Sequence, residues 1–189
     1  PPPHAQTYSS HSLYFSGSED AHPYVAYQAG LAPPQQLTFE AWIRPTVANA
    51  LESQFITQLG DGGWGVFIVS DNDCPGKTRN TIAFYQHNCT DSTYSNMAVP
   101  TDSWTHVAVT VDVRETTLYG QVRIYINGID RTDNATSPPI WRHPRSLNAI
   151  IGGGASEAGQ NLPLKIGAAG GCICLRYAGY IDEVRLWKR

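Results

Sequence analysis

The sequence predicts an all-β domain made of two antiparallel sheets packed face to face. Three observations lead there. Apolar and polar residues alternate strictly over several short stretches, the pattern of strands with one buried face. Segments rich in Gly, Pro and Asn separate those stretches, as turns require. No stretch shows the spacing of a persuasive amphipathic helix. Composition agrees: only 15% of the 189 residues are charged, below the usual level of about a quarter. Low charge with abundant turn formers and aromatics suits a secreted β domain better than a cytosolic helical one.

The chain opens on PPPHAQTYSSH, which has no apolar periodicity. Its prolines favour an extended conformation, so residues 1–11 read as a linker or frayed terminus and residues 12–189 as the domain. Strands follow at SLYFSG and YVAYQ. In LTFEAWIRP, Leu37, Phe39, Ala41 and Ile43 share the inner face, and Thr38, Glu40, Trp42 and Arg44 the outer. GWGVFIV and TIAFYQH come next. In SWTHVAVTVD, Val107, Val109 and Val111 point inward, and Trp104, His106, Ala108 and Thr110 outward. QVRIYINGID sets Val122, Ile124 and Ile126 against Arg123 and Tyr125, and its Asn127-Gly128 pair signals a two-residue hairpin. AIIGG, LKIGA and the closing AGYIDEVRLWKR complete the set. Period two puts Tyr180, Asp182, Val184 and Leu186 of the last strand on the core side, with Ile181, Glu183, Arg185 and Trp187 opposite.

Several functions are excluded. The formal net charge is −3 with no basic patch, so nucleic acid is not an expected partner. No apolar run reaches the length of a membrane span, so direct membrane insertion is not expected. No signal-peptide pattern is present, so the segment is expected to be either mature or cut from a longer protein, and it reads as one module of a larger extracellular protein. Cys74, Cys89, Cys172 and Cys174 allow three disulfide pairings, and their spacing is not that of a zinc site. Two glycosylation acceptors, Asn88 and Asn134, fall in expected loops. Cysteines and sequons together point to the secretory route.

Taken in order, SLYFSGSED, LTFEAWIRP, SWTHVAVTVD, VRIYINGID, LKIGA and YAGYIDEVRLWKR resemble the laminin-G-like or pentraxin-like branch of the concanavalin A-like lectin/glucanase jelly rolls. The resemblance spans residues 12–189. Pentraxins carry a cysteine near the stretch matching SWTHVAV, absent here, and the usual FDG is Phe15-Ser16-Gly17, so this is a divergent member. In this family the closing strand packs beside the first loop, where a structural calcium is often held. The resemblance carries that role to Asp20 and Asp182, with Glu19, Ser16 and loop carbonyls as further oxygens. Calcium takes six to eight hard oxygen ligands, and an inward Asp182 needs a partner of some kind.

Sugar binding needs aromatic faces for pyranose rings and polar groups for hydroxyls. The loop candidates are Asp71, Asn72 and Asp73; Tyr94 and Asn96; and Trp141, Arg142 and His143. Trp42, Trp104 and Tyr125 offer an alternative flat platform on outward strand faces. Catalysis is not expected, because a retaining glucanase needs carboxylates two apart on one strand face, and Asp182-Glu183 are adjacent. The resulting expectation is a non-catalytic, lectin-like extracellular module with a bound calcium and a glycan or glycoprotein partner. The alternatives are a cell-adhesion module meeting a protein surface, or a structural accessory domain.

Overall fold

The computed structural model describes residues 11–18, 22–31, 36–48, 50–60, 63–70, 72–85, 92–112, 122–133, 163–169 and 175–187. Twelve strands run through them: β1 (Leu13–Ser16), β2 (Tyr24–Val25), β3 (Gln36–Pro45), β4 (Gln54–Leu59), β5 (Gly65–Ile68), β6 (Thr81–Tyr85), β7 (Thr93–Ala98), β8 (Thr105–Asp112), β9 (Val122–Ile126), β10 (Ile129–Asp130), β11 (Leu164–Ile166) and β12 (Ala178–Trp187). They form two six-stranded sheets, ordered β1-β12-β3-β8-β9-β10 and β2-β11-β4-β5-β6-β7, and every strand pairing is antiparallel. The helical content among the described residues is one 3-10 turn, Ala29–Leu31.

The first sheet follows the alternation closely. β3 and β8 alternate buried and half-buried residues along their whole length, and the inward residues of β9 are Val122, Ile124 and Ile126. Asn127 and Gly128 both adopt positive φ, 51° and 78°, and join β9 to β10 in the expected tight turn. The inward faces of both sheets meet in one core, with Phe39, Ile43, Ile82, Phe84, Val107 and Ile124 all buried. Each such side chain contributes about 1.5–3 kcal/mol by leaving water. Trp64 is fully buried in this core. It stacks on Phe84 at 6.4 Å, tilts against Phe39 at 6.2 Å, and donates its indole N–H to the Leu31 carbonyl at 3.0 Å.

The second sheet departs from the sequence reading. β4 and β7 were not among the expected strands, and Tyr94 and Asn96 lie within β7 rather than in a loop. β4 is buried at all six positions and β5 at all four, so neither alternates. Its polar members are matched by partners. The Gln54 carboxamide accepts from the Ala178 N–H at 2.9 Å, and the Thr57 hydroxyl donates to the Lys165 carbonyl at 2.8 Å. Behind this sheet lies a second apolar cluster of Phe55, Phe67, Val69, Cys74, Ala83, Tyr94 and Ala169, with Leu175 packed on it. Loop residues around Cys74, Ala169 and Leu175 therefore cover what would otherwise be an open sheet face.

The last strand contains the main correction to the expected register. Asp182 pairs with Trp42 and Arg185 with Glu40, so three steps on β12 match two on β3. The extra residue makes a β-bulge, and Glu183 takes a φ of +49° there. A bulge reverses the facing of everything beyond it. Ile181 is fully buried, and Val184 and Leu186 pack on the core. Asp182 consequently lies with Tyr180 on the outer side, not among core residues. Its Oδ1 accepts the Glu183 N–H at 2.8 Å, which stabilises the bulge. Gly179, at φ +142°, lets β12 approach the Arg44 carbonyl where a Cβ would stand only 2.3 Å away.

Candidate functional site

The outer face of the first sheet carries an array of accessible aromatic and charged side chains. Antiparallel pairing fixes who stands beside whom. Tyr14 pairs with Tyr180 and Tyr180 with Arg44, which makes one row across β1, β12 and β3. The next row is Asp182, Trp42 and His106. The third is Arg185, Glu40, Ala108 and Tyr125. The fourth is Trp187, Thr38, Thr110 and Arg123.

The first row is aromatic around one cation. The Tyr14 and Tyr180 rings lie 5.0 Å apart, and Trp104 tilts against Tyr180 at 6.4 Å. The Arg44 guanidinium sits 5.4 Å from the centre of the Tyr180 ring, within cation–π range. Tyr14 is 61% exposed. Such an arrangement can present ring faces to an apolar surface and donors to oxygen atoms at once.

The third and fourth rows are organised by Glu40. Trp187 donates its indole N–H to Glu40 Oε1 at 3.0 Å, and Arg185 Nη1 reaches the same oxygen at 3.5 Å. His106 Nε2 lies 3.5 Å from Glu40 Oε2 and stacks obliquely on Trp42 at 5.3 Å. Arg185 also reaches Glu183 Oε2 at 2.9 Å. At the sheet's far edge Asp130 accepts from the Thr132 N–H, the Thr132 hydroxyl and Arg123. Partial burial would raise the Asp130 carboxyl, but those three donors and the Arg123 charge together hold it below the usual carboxylate range.

The residues expected to bind ligand from the loops fare differently. Asp73 accepts from the Ser53 N–H and from the Ser70 hydroxyl at 3.1 Å, so its carboxylate ties a loop down. Asn72 is exposed beside it. Tyr94 is only 2% exposed and lies in the second apolar cluster with Lys77 Nζ 4.6 Å from its ring centre. Burial pushes its phenol up to about 12 despite a hydrogen bond with Ser92. It is a packing residue, not a surface contact. Asn96 is exposed on β7. Asp71, Trp141, Arg142 and His143 lie outside the described residues, as do Asn88, Asn134, Cys89, Cys172, Cys174 and the AIIGG stretch. Cys74 is buried and disulfide-bonded.

The calcium set does not assemble from its described members. Ser16 pairs with Ala178, while Leu13 pairs with Ile181. Asp182 is therefore four residues along β12 from the position facing Ser16, roughly 13 Å at 3.3 Å per residue. The Ser16 hydroxyl instead bonds that of Ser18 at 3.0 Å, and the Ser18 carbonyl accepts from Arg176 at 3.1 Å. A guanidinium on that carbonyl opposes a cation there. Glu19 and Asp20 lie outside the described residues. Among the described residues no group of three or more His, Cys, Asp or Glu side chains is placed to hold a metal.

The row of platform residues was legible only in part. Trp42, Trp104 and Tyr125 follow from alternation alone. Tyr180 was missed because the bulge reverses its facing, and Arg44 gained meaning only from the strand beside it.

A two-sheet β-sandwich with an open aromatic face defines the class, and comparison with known proteins gives the family. Residues 18–189 match a laminin G-type family of the concanavalin A-like lectin/glucanases superfamily, and the chain belongs to it. None of the curated proteins compared matches the chain. Among solved structures, domain 4 of an extracellular arabinanase from Geobacillus stearothermophilus, in complex with arabinotriose, is similar at a TM-score of 0.56 and 17% identity, covering 94% of this chain and 70% of that one. The CBM40 of a Ruminococcus gnavus sialidase, bound to α2,3 sialyllactose, gives 0.57 and 14%, covering 94% and 89%. A heptameric pentraxin from Limulus polyphemus gives 0.56 and 16%, covering 93% and 75%. At these identities the likeness is one of fold.

Proposed function

We propose that this domain is a non-catalytic, extracellular carbohydrate-binding module that takes its glycan on the outer face of the first sheet. The observation that carries the reading is the row Tyr14–Tyr180–Arg44 with Trp104 against it, continuous with Trp42 and Trp187. These rings stand on paired strands, so the surface is preformed and little need move on binding. Ring faces would take the apolar sides of sugars, while Arg44, Glu40 and Asp182 would meet hydroxyls. Fold neighbours that are carbohydrate-binding modules, and one crystallised with arabinotriose, support this choice. A disulfide at Cys74 supports an oxidising compartment.

Non-catalysis is favoured because Glu40 is engaged by Trp187, Arg185 and His106, and Asp182 by the bulge. The two carboxylates that approach each other on this face, Glu40 and Glu183, are bridged by the Arg185 guanidinium, not left open to flank a glycosidic bond. Calcium is not required in this reading. An ion at the first loop would have to rely on Glu19, Asp20 and carbonyls rather than on Asp182. Adhesion to a protein surface is the second reading, favoured by the exposed apolar edge of Leu13, Tyr14, Tyr24 and Val25.

A glycan array with and without chelator tests the assignment. Binding that free sugar competes away is expected, and it falls about tenfold in Tyr14→Ala and Trp104→Ala, whose stacking contributes about 1 kcal/mol or more each. Binding untouched by both substitutions would move the site elsewhere. Loss of binding or of thermal stability on chelation would restore calcium.

A further inference from the structure

Among the described residues Arg44 is a cation without an anion. Its Nε is buried and makes no hydrogen bond, and none of the described carboxylates forms an ion pair with its guanidinium. The neighbouring acids are otherwise engaged. Glu40 faces Arg185, His106 and Trp187; Glu183 faces Arg185; Asp182 accepts the Glu183 N–H. The guanidinium is instead held against the Tyr180 ring, with Trp104 and Tyr14 packed around the same ring. A half-buried charge with no counter-ion is costly to maintain for stability alone. Its planar donors match an oxyanion, which they can engage through two parallel bonds.

Resting on the glycan-binding reading, we propose that Arg44 selects an acidic glycan, one whose sugar carries a carboxylate, with the ring of that sugar against Trp104, Tyr180 or Tyr14. The guanidinium takes the carboxylate, and the aromatic row takes the sugar's apolar side. A sulfate ester can meet the same fork, but it spreads its charge over three oxygens instead of two, so each accepts more weakly. Asp182 stands on the diagonal from Arg44, one row on, and its charge opposes the ligand's.

The test is titration calorimetry of the intact domain with trigalacturonic acid, with its neutral methyl ester, and with a sulfated galactose oligomer. The acid is expected to bind at least about tenfold tighter than the ester, since a charge-assisted bond contributes that much, and tighter than the sulfated sugar. Arg44→Gln is expected to erase the difference between acid and ester by bringing acid binding down to the level of the ester's. Arg44→Lys keeps part of it, because the charge remains and the fork is lost. Asp182→Asn, which retains the oxygen acceptor for the Glu183 N–H, is expected to tighten acid binding about twofold at low salt. Equal binding of acid and ester by the unaltered protein overturns the proposal and leaves glycan binding standing, as does an acid preference that survives Arg44→Gln. A sulfated sugar binding tighter than the acid overturns the choice of carboxylate. No binding of any of the three sugars overturns the acidic-glycan proposal, and an array negative for all glycans overturns the glycan-binding reading beneath it. The comparison of acid with ester needs no variant, so it stands even if Arg44→Gln does not fold.

Discussion

Behind the first sheet, Tyr14, Tyr180, Trp42 and Trp187 meet solvent in rows set by strand pairing. Behind the second, Phe55, Phe67 and Tyr94 lie under loops with Cys74, Ala169 and Leu175. Both sheets feed the same central core, yet one back is open and the other is closed. The closed back gains apolar burial at the cost of a surface. The open back gives up that burial and keeps its rings and charges available. The proposed glycan site therefore lies on the back whose rings are not covered by loops.

Removing an aromatic from each back tests that contrast. Phe67→Ala is expected to cost about 3–5 kcal/mol, as buried aromatic truncations do, whereas Trp42→Ala should cost about 1 kcal/mol. Urea unfolding of the two variants measures both. Equal losses would mean that the two backs are equally packed.

The next effect is alkaline. Burial raises the Tyr94 phenol to about 12 from 10.0 in the unfolded chain, so the unfolded chain releases this proton first. The associated stability is whole below pH 10 and is lost as pH rises to about 12, about 3 kcal/mol at most. Tyr177, which burial also raises, sustains part of the same slope. Tyr94→Phe should make stability fall less steeply over that interval, followed by chemical denaturation at stepped pH. An unchanged slope would place Tyr94 in contact with water.

A smaller effect belongs to the open face. Glu40→Gln removes the charge shared by Arg185 and His106, and it should lower stability by no more than about 1 kcal/mol. The loss should shrink further in high salt. A loss comparable to that of Phe67→Ala would make Glu40 part of the folding core instead of the accessible surface.

The same contrast explains what the sequence could disclose. Strands such as β3 and β8 alternate because one side faces solvent, so their inward and outward residues were readable without a structure. β4 does not alternate, and Gln54 and Gln58 are buried there among apolar residues, so QFITQL gives no periodic signal. Tyr94 looked like a loop residue because Ser and Asn surround it. Nothing local announced that a loop would close over it. In β12 the alternation was present but its phase was not, since a one-residue bulge moved Asp182 outward and Ile181 inward. The bulge depends on pairing with β3, a long-range feature that the residues of β12 alone do not encode.

Mapping an oligosaccharide onto the two backs of the sandwich tests the assignment most directly. In a titration of the isotope-labelled domain with trigalacturonic acid followed by NMR, the signals expected to shift are those of Tyr14, Arg44, Trp104 and Tyr180, including the Trp104 indole N–H. The signals of Phe55, Phe67 and Tyr94 should stay in place. Shifts confined to the loops over the second sheet, around Asn72, Lys77 and Asn96, would contradict the placement of the glycan on the open face.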